Sequence, residues 1–185
     1  MRREWLEALP RMDPEKLVFI DETWTSTSMT RRCGRAPKGQ RCIGSAPHGH
    51  WKTTTFVGAL RRCRLTAPMV TDGPMDGEMF LAYVRQFLCP TLQPGDIVVL
   101  DNLSSHKVPG VKHAIHAMGA TLLYLPPYSP DFNPIEKLFS KLKALLRKAA
   151  KRTIDALWNE ISKLLNTVTP SECSNFFSAC GYVST

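Results

Sequence analysis

The chain has 185 residues, of which 43% are hydrophobic and 22% are charged, and its formal charge is +8. This composition excludes a disordered chain, a collagen-like chain and a small disulfide-rich scaffold, and the length fits one domain over residues 1–185. The longest apolar run, at 79–84, has six residues, and no apolar stretch follows the charged N-terminus, so we expect a cytoplasmic protein without a membrane segment or a secretory signal.

The first half of the chain predicts mainly strands. A β-rich apolar run at 17–20 indicates a buried strand that ends in Asp21. We expect residues 23–30 to continue it irregularly, and residues 53–60 and 63–70 to add two strands of a meander.

Helices and strands alternate in the middle of the chain. Apolar residues at helical spacing predict a helix over 77–88. A second apolar run at 97–100 predicts a strand that again ends in an acid, Asp101. A short helix at 111–118 and a strand at 121–125 follow.

The last third predicts helices. The proline-rich stretch 126–134 cannot be regular structure, and it leads into a helix with an apolar stripe over 135–149. A second helix follows Thr153 as N-cap, and a short terminal helix follows Pro170. The order β-β-β-α-β-α-β-α-α predicts a mixed α/β layered fold in one domain.

The positive charge is concentrated in two stretches that contain no acid. If both lie on one face, they would attract a polyanion such as nucleic acid, although a solvated surface is an equally simple interpretation. The first stretch holds Arg31, Arg32, Arg35, Lys38, Arg41, Lys52, Arg61, Arg62 and Arg64, and the second holds Lys137, Lys141, Lys143, Arg147, Lys148, Lys151 and Arg152.

The cysteines and histidines show no metal-binding pattern. The six cysteines form no Cys-x-x-Cys pair, and the five histidines form no His-Glu-x-x-His pattern. We therefore expect reduced thiols and no structural zinc.

Three acids are candidates for chemistry, and each has a simpler explanation. Asp21 and Asp101 follow two buried strands, at the edge where α/β sheets place ligand groups. However, Glu22 is a rival to Asp21, and Asp101 with Asn102 could form an Asx turn. The third acid, Glu136, could close a capping box at the start of its helix.

The capping-box explanation for Glu136 rests on spacing. Asn133, Pro134 and Glu136 fit the N-cap, N1 and N3 positions of the helix over 135–149.

If the three acids converge, their charges restrict what they can do. Two carboxylates ~5 Å apart repel by roughly 3 kcal/mol at an effective dielectric of 20, so a cluster must take up protons or bind cations. A ligand set made only of oxygens favours Mg²⁺ or Mn²⁺, and two such ions could assist a phosphodiester displacement.

Three segments resemble the acidic motifs of DDE transposases from bacterial insertion sequences in the mariner-like superfamily. They are Leu-Val-Phe-Ile-Asp-Glu-Thr at 17–23, Val-Val-Leu-Asp-Asn-Leu-Ser-Ser-His at 98–106, and Leu-Pro-Pro-Tyr-Ser-Pro-Asp-Phe-Asn-Pro-Ile-Glu at 125–136. The 34 residues between the second and third acids are typical of that group. The resemblance runs from about residue 5 to 182 and implies a ribonuclease H-like fold, with a mixed central sheet flanked by helices.

The resemblance also implies roles for individual residues. Asp21, Asp101 and Glu136 would be the catalytic, metal-binding acids, with Asp21 bridging two Mg²⁺ or Mn²⁺ ions and the others holding one each. Asn102 and His106 would lie near the site in supporting roles.

The implied activity is that of a DNA endonuclease and strand transferase. Water would cut at the element ends, and the freed 3′-hydroxyl would attack target DNA. The bases that we expect to contact DNA are Arg31, Arg32, Arg35, Lys38, Lys52, Lys137, Lys141, Lys143 and Arg147.

The implied partners are transposon-end DNA, target DNA and further copies of the chain, in a dimer or larger assembly associated with the bacterial nucleoid. Family members carry N-terminal helix-turn-helix modules, and only about sixteen residues precede the first strand here. Three interpretations stay open: the second reading frame of a split element, whose ends a separately encoded helix-turn-helix module would recognise, an excised catalytic domain, or a degraded copy. The alternatives are a ribonuclease H-type nuclease on RNA–DNA hybrids and an inactive DNA-binding remnant.

Overall fold

The computed structural model describes residues 1–183 and is built around a mixed sheet of five strands. In chain order the strands are β1 (Leu17–Ser26), β2 (Thr53–Leu60), β3 (Leu65–Asp72), β4 (Ile97–Leu100) and β5 (Thr121–Tyr124). Their order in the sheet is β3-β2-β1-β4-β5. Neighbours among β1, β2 and β3 are antiparallel, whereas β1, β4 and β5 run parallel.

The central strand β1 is buried on both faces of the sheet. Leu17 and Phe19 pack into one hydrophobic core, and Val18 and Ile20 pack into the other. A strand covered on both faces has a continuous apolar run instead of an alternating one. Helices must therefore lie on both sides of the sheet.

Two groups of helices cover the sheet. The α-helices within residues 1–183 are α1 (Arg2–Ala8), α2 (Gly77–Tyr83), α3 (Val111–Ala117), α4 (Pro134–Ala149), α5 (Ile154–Leu165) and α6 (Pro170–Ala179). The core with Leu17 and Phe19 takes side chains from α1, α4, α5 and α6, and the opposite core takes Phe80 from α2 and Ile115 from α3. In this part of the chain no helix has the length and apolarity needed to cross a membrane.

Most predicted elements are present, with shifted boundaries. β1 continues to Ser26 because its threonines are buried and pair in register with β2. The third strand begins at Leu65 instead of residue 63. The helix predicted over 77–88 is α-helical only to Tyr83 and continues as one π-helical stretch, Val84–Leu88.

Helix α1 has no strong local signal, and a distant contact holds it in place. Its one buried residue is Trp5, whose indole nitrogen donates a hydrogen bond to the Tyr182 hydroxyl at 3.0 Å. That hydroxyl in turn donates to the carbonyl of Phe132 at 2.8 Å. Trp5 and Tyr182 are thereby attached to the loop that precedes α4.

Two bases of the acid-free stretches are structural. Arg61 is 8% exposed and forms an ion pair with buried Asp96 at 2.6 Å. Arg152 donates to the backbone carbonyls of Thr27 and Met29 at 3.0 and 2.8 Å. The buried pair replaces the hydration that each charge loses, so Arg61 is not available to a ligand, whereas Arg152 is exposed and uses one guanidinium nitrogen for the two carbonyls.

Candidate active site

The first two acids lie side by side because their strands are parallel neighbours. Ile20 of β1 is paired in register with Leu100 of β4, and Asp21 and Asp101 follow directly. Glu136, in the first turn of α4, lines the same cleft, which has a volume of about 390 Å³. We call this the acid cleft; its rim includes Asn102.

Asp21 is the most buried of the three acids, with 7% of its surface exposed. Its Oδ1 accepts a hydrogen bond from the backbone N–H of Glu22 at 2.8 Å, and its Oδ2 accepts one from Nδ2 of Asn133 at 2.8 Å. Burial raises the pKa of Asp21 well above its usual value, and the charges of Asp101, Glu136 and Glu22 add to the effect. The cleft therefore favours either a proton or a cation at this position.

His106 links the second acid to Glu22. Its Nδ1 lies 2.5 Å from Oδ1 of Asp101, and its Nε2 lies 2.8 Å from Oε2 of Glu22. The ring is fully buried, with its centroid 4.3 Å from that of Phe80. Burial lowers the pKa of His106, but the hydrogen bonds to Asp101 and Glu22 outweigh it and raise the pKa to about 9. At neutral pH the ring is therefore a cation that donates both hydrogen bonds, and Glu22 serves as its partner.

Titration of His106 tests this arrangement. In metal-free protein we expect an NMR titration midpoint near pH 9 instead of 6.5. Because the folded pKa exceeds the unfolded value, the stabilisation is complete below pH ~6.5 and is lost as the pH rises towards 9. Urea unfolding across this range should show that loss, and His106→Gln should remove it. The control is His113→Gln, because His113 is exposed. A titration midpoint of His106 at or below pH 6.5 would contradict its hydrogen bonding to the carboxylates of both Asp101 and Glu22.

The alternative explanation for Glu136, a capping box at the start of α4, does not hold. Asn133 is the N-cap residue, but its side chain makes no capping hydrogen bond because the amide is bonded to Asp21 instead. The same spacing in Thr169, Pro170 and Glu172 does form a complete capping box on α6. With no role in a box, Glu136 remains available to the acid cleft.

The loop before α4 is held from outside the cleft. Arg2 donates to Ser129 Oγ at 2.7 Å and makes two hydrogen bonds with Asp131, at 3.0 and 2.8 Å. Tyr128 is 99% exposed at the rim of the cleft and has a φ of +54°, in the left-handed region that non-glycine residues rarely adopt. The loop thus reaches Glu136 through a constrained backbone.

The acid cleft offers ligands suited to a divalent cation, but these ligands are not already grouped around one point. Within residues 1–183, no three His, Cys, Asp or Glu side chains are grouped closely enough to hold a metal ion. One oxygen of Asp101 is occupied by His106 and by the backbone N–H of Leu103. The side chains that line the cleft beside Asp21 nevertheless offer oxygen ligands, which Mg²⁺ and Mn²⁺ prefer. A bound cation would also offset the repulsion that raises the pKa of Asp21.

Bases from both acid-free stretches meet beside α4. Lys143 lines a groove together with Glu136 and Trp24, and its Nζ lies 5.0 Å from the centroid of the Trp24 ring. Burial lowers the pKa of Lys143, the charge of Glu136 opposes this, and Arg147 and Arg32 lower it further. The basic cluster, as we define it, consists of Arg31, Arg32, Lys143, Arg147 and Lys148.

The other bases predicted to contact DNA do not all join this cluster. Lys141 forms an ion pair with Glu172 of α6 at 2.5 Å. Lys137 is exposed beside Glu136. The exposed bases Arg35, Lys38 and Lys52 lie in the segment that joins β1 to β2, and their contact with DNA stays a prediction.

Comparison with solved structures identifies the fold. A pre-cleavage Mos1 transpososome superimposes with a TM-score of 0.80 at 16% identity, covering 96% of this chain and 56% of the Mos1 chain. The catalytic domain of Mos1 mariner transposase gives a TM-score of 0.69 at 14% identity, covering 96% and 83%. The chain thus spans about half the length of Mos1 in the DNA assembly. The predicted ribonuclease H-like fold is confirmed.

Sequence comparison gives the family. No curated protein matches the chain. A family profile described as DDE superfamily endonuclease matches residues 16–157, a range that contains β1 to β5, the acid cleft and the basic cluster. The resemblance read from the three acidic segments is confirmed at the level of the family, and the chain belongs to the DDE superfamily endonucleases.

Proposed function

We propose that the chain is the catalytic domain of a transposase, a metal-dependent DNA endonuclease and strand transferase. The observation that carries the proposal is the acid cleft, which Asp21, Asp101 and Glu136 line from two adjacent strand ends and a helix start. The family match supports the same assignment.

We infer that Asp21, Asp101 and Glu136 would hold two Mg²⁺ or Mn²⁺ ions. Solved Mos1 catalytic domains with Mg and with Mn support this choice of ion. Such ions supply Lewis acidity towards the oxygens of a phosphodiester. The carboxylates of this chain position them, and the protein provides no covalent nucleophile, because the attacking oxygen belongs to water or to a DNA 3′-hydroxyl.

We infer that DNA approaches along α4. The basic cluster lies on the same helix as Glu136, so bases that bind the phosphate backbone would direct a phosphodiester towards the acids. Mos1 has been solved as a paired-end complex and as a strand transfer complex. By analogy we propose that this chain acts on transposon ends and target DNA as a dimer or larger assembly.

A cleavage assay tests the proposal. The purified chain is incubated with supercoiled plasmid DNA and, separately, with an RNA–DNA hybrid, in Mg²⁺, Mn²⁺ or EDTA. We expect nicked DNA with 3′-hydroxyl ends in either metal and no product in EDTA. Preferred cleavage of the hybrid would instead indicate a ribonuclease H-type nuclease. DNA binding in EDTA without product in either metal would indicate an inactive DNA-binding remnant.

A further inference from the structure

Asn133 is used in a way that its position in the helix does not explain. It occupies the N-cap of α4, where asparagine usually accepts a hydrogen bond from the first turn of the helix. Its side chain makes no such bond. Instead Nδ2 donates to Oδ2 of Asp21, 112 residues away, at 2.8 Å.

The contact leaves part of the same side chain unsatisfied. Asn133 is 3% exposed, and its Oδ1 is buried without a hydrogen-bond partner. Buried polar atoms are normally paired, and an exception marks either strain or function. The start of α4 therefore has no side-chain cap, and Oδ1 of Asn133 has no hydrogen bond, while Nδ2 of Asn133 bonds to Asp21.

The orientation of the amide follows from the charge of Asp21. A rotation by 180° would place Oδ1 of Asn133 against Oδ2 of Asp21, and two acceptors would face each other. Nδ2 must therefore point at Asp21 while that residue is a carboxylate. The backbone N–H of Glu22 holds the other oxygen, so both oxygens of Asp21 are fixed and each keeps a free lone pair.

We propose that Asn133 is a positioning residue that holds the Asp21 carboxylate in the orientation required to bind a divalent cation. This inference rests on the proposed function of the acid cleft and names a residue outside the three acids. Partners that orient a metal ligand typically change metal affinity tenfold to a hundredfold when they are removed. Asn133 lines the acid cleft together with Asp21 and Glu136.

The substitution Asn133→Ser separates this role from helix capping. Serine is as good an N-cap as asparagine, but its hydroxyl is one bond shorter and cannot reach Asp21. We expect the affinity for Mn²⁺, measured by titration calorimetry without DNA, to fall roughly tenfold to a hundredfold. The thermal unfolding midpoint without metal should stay close to that of the wild type.

Thr169→Ala is the matched control. It removes an N-cap that does bond to its helix, so it should lower the unfolding midpoint and leave the Mn²⁺ affinity unchanged. If the serine variant folds poorly, the same Mn²⁺ titration is made on Asn133→Gly, because glycine is also an acceptable N-cap and lacks the amide.

The outcomes separate two failures. If the wild type binds Mn²⁺ and both Asn133 variants bind it equally well, Asn133 has no positioning role and the proposed metal chemistry stands. If the wild type binds no Mn²⁺ at the cleft, with Asp21→Asn giving the same calorimetric trace, the proposed function and the role of Asn133 both fail.

Discussion

Replacing Asp21 with asparagine is expected to abolish metal-dependent DNA nicking and, at the same time, to stabilise the fold. Loss of a metal ligand should reduce cleavage by roughly 10³-fold or more, since a bound ion contributes several kcal/mol to the barrier. Burial is the largest cause of the raised pKa of Asp21, and the charges of three other acids raise it further. Asparagine carries no charge there, and Asn133 can turn its amide to satisfy it.

The stability gain should depend on pH in a defined direction. The folded pKa of Asp21 is raised above its usual value of 3.8, so ionisation opposes folding. The wild-type protein therefore loses the stability that protonated Asp21 contributes as the pH rises above about 4. In EDTA, the unfolding midpoint of Asp21→Asn should exceed that of the wild type at pH 7, and the difference should shrink towards pH 4. Adding Mn²⁺ should stabilise the wild type alone.

Two further variants control this result. Asp101→Asn should also abolish nicking, but it should destabilise the fold because the Asp101 carboxylate accepts hydrogen bonds from His106 and the Leu103 backbone. Asp72→Asn, at an exposed residue that ends β3, should change neither quantity. If Asp21→Asn and Asp101→Asn destabilise the fold equally, the ionised carboxylate of Asp21 does not oppose folding.

The apolar runs of β1 and β4 made the centre of the fold predictable. A continuous run of four apolar residues is typical of a strand buried on both faces, and parallel neighbours end at the same edge of a sheet. Asp21 and Asp101 could therefore each be assigned to a strand end from sequence alone, whereas their position side by side follows from the parallel pairing of β1 with β4. The third acid needed the family resemblance, because nothing local distinguishes Glu136 from a capping glutamate.

Two identical patterns show the limit of local sequence reasoning. Asn133 with Glu136, and Thr169 with Glu172, both fit an N-cap followed by an acid at N3 with proline at N1. Only the second pair forms a capping box. The difference comes from Asp21, which is distant in the sequence and takes the amide of Asn133. A contact across the fold therefore overrides the helix signal at the residue nearest the chemistry.

Charge patterns have the same limit. The acid-free stretches correctly indicated where bases are dense, but not which bases have partners. Arg61 is neutralised by buried Asp96, and Lys141 by Glu172. The bond between His106 and Glu22 spans 84 residues and has no sequence signal beyond the motif that places His106 near the site.

The basic cluster leads to the second large effect, on DNA binding. The double variant Arg32→Ala/Arg147→Ala is expected to weaken binding to a DNA duplex roughly tenfold to a hundredfold, at ~1 kcal/mol or more per lost phosphate contact. The slope of log affinity against log salt should become shallower by about two, since each neutralised phosphate contributes ~0.9. Fluorescence anisotropy in EDTA, at several salt concentrations, measures both quantities without cleavage.

The matched control removes two positive charges from elsewhere. Arg64 and Lys163 are exposed and lie outside the basic cluster, so Arg64→Ala/Lys163→Ala gives the same net charge as the first double variant. If net charge alone attracts DNA, the two double variants will lose equal affinity and equal slope, and the proposed path along α4 is wrong. If the cluster holds the backbone, only Arg32→Ala/Arg147→Ala changes the slope, because counterions are released only where phosphates are contacted.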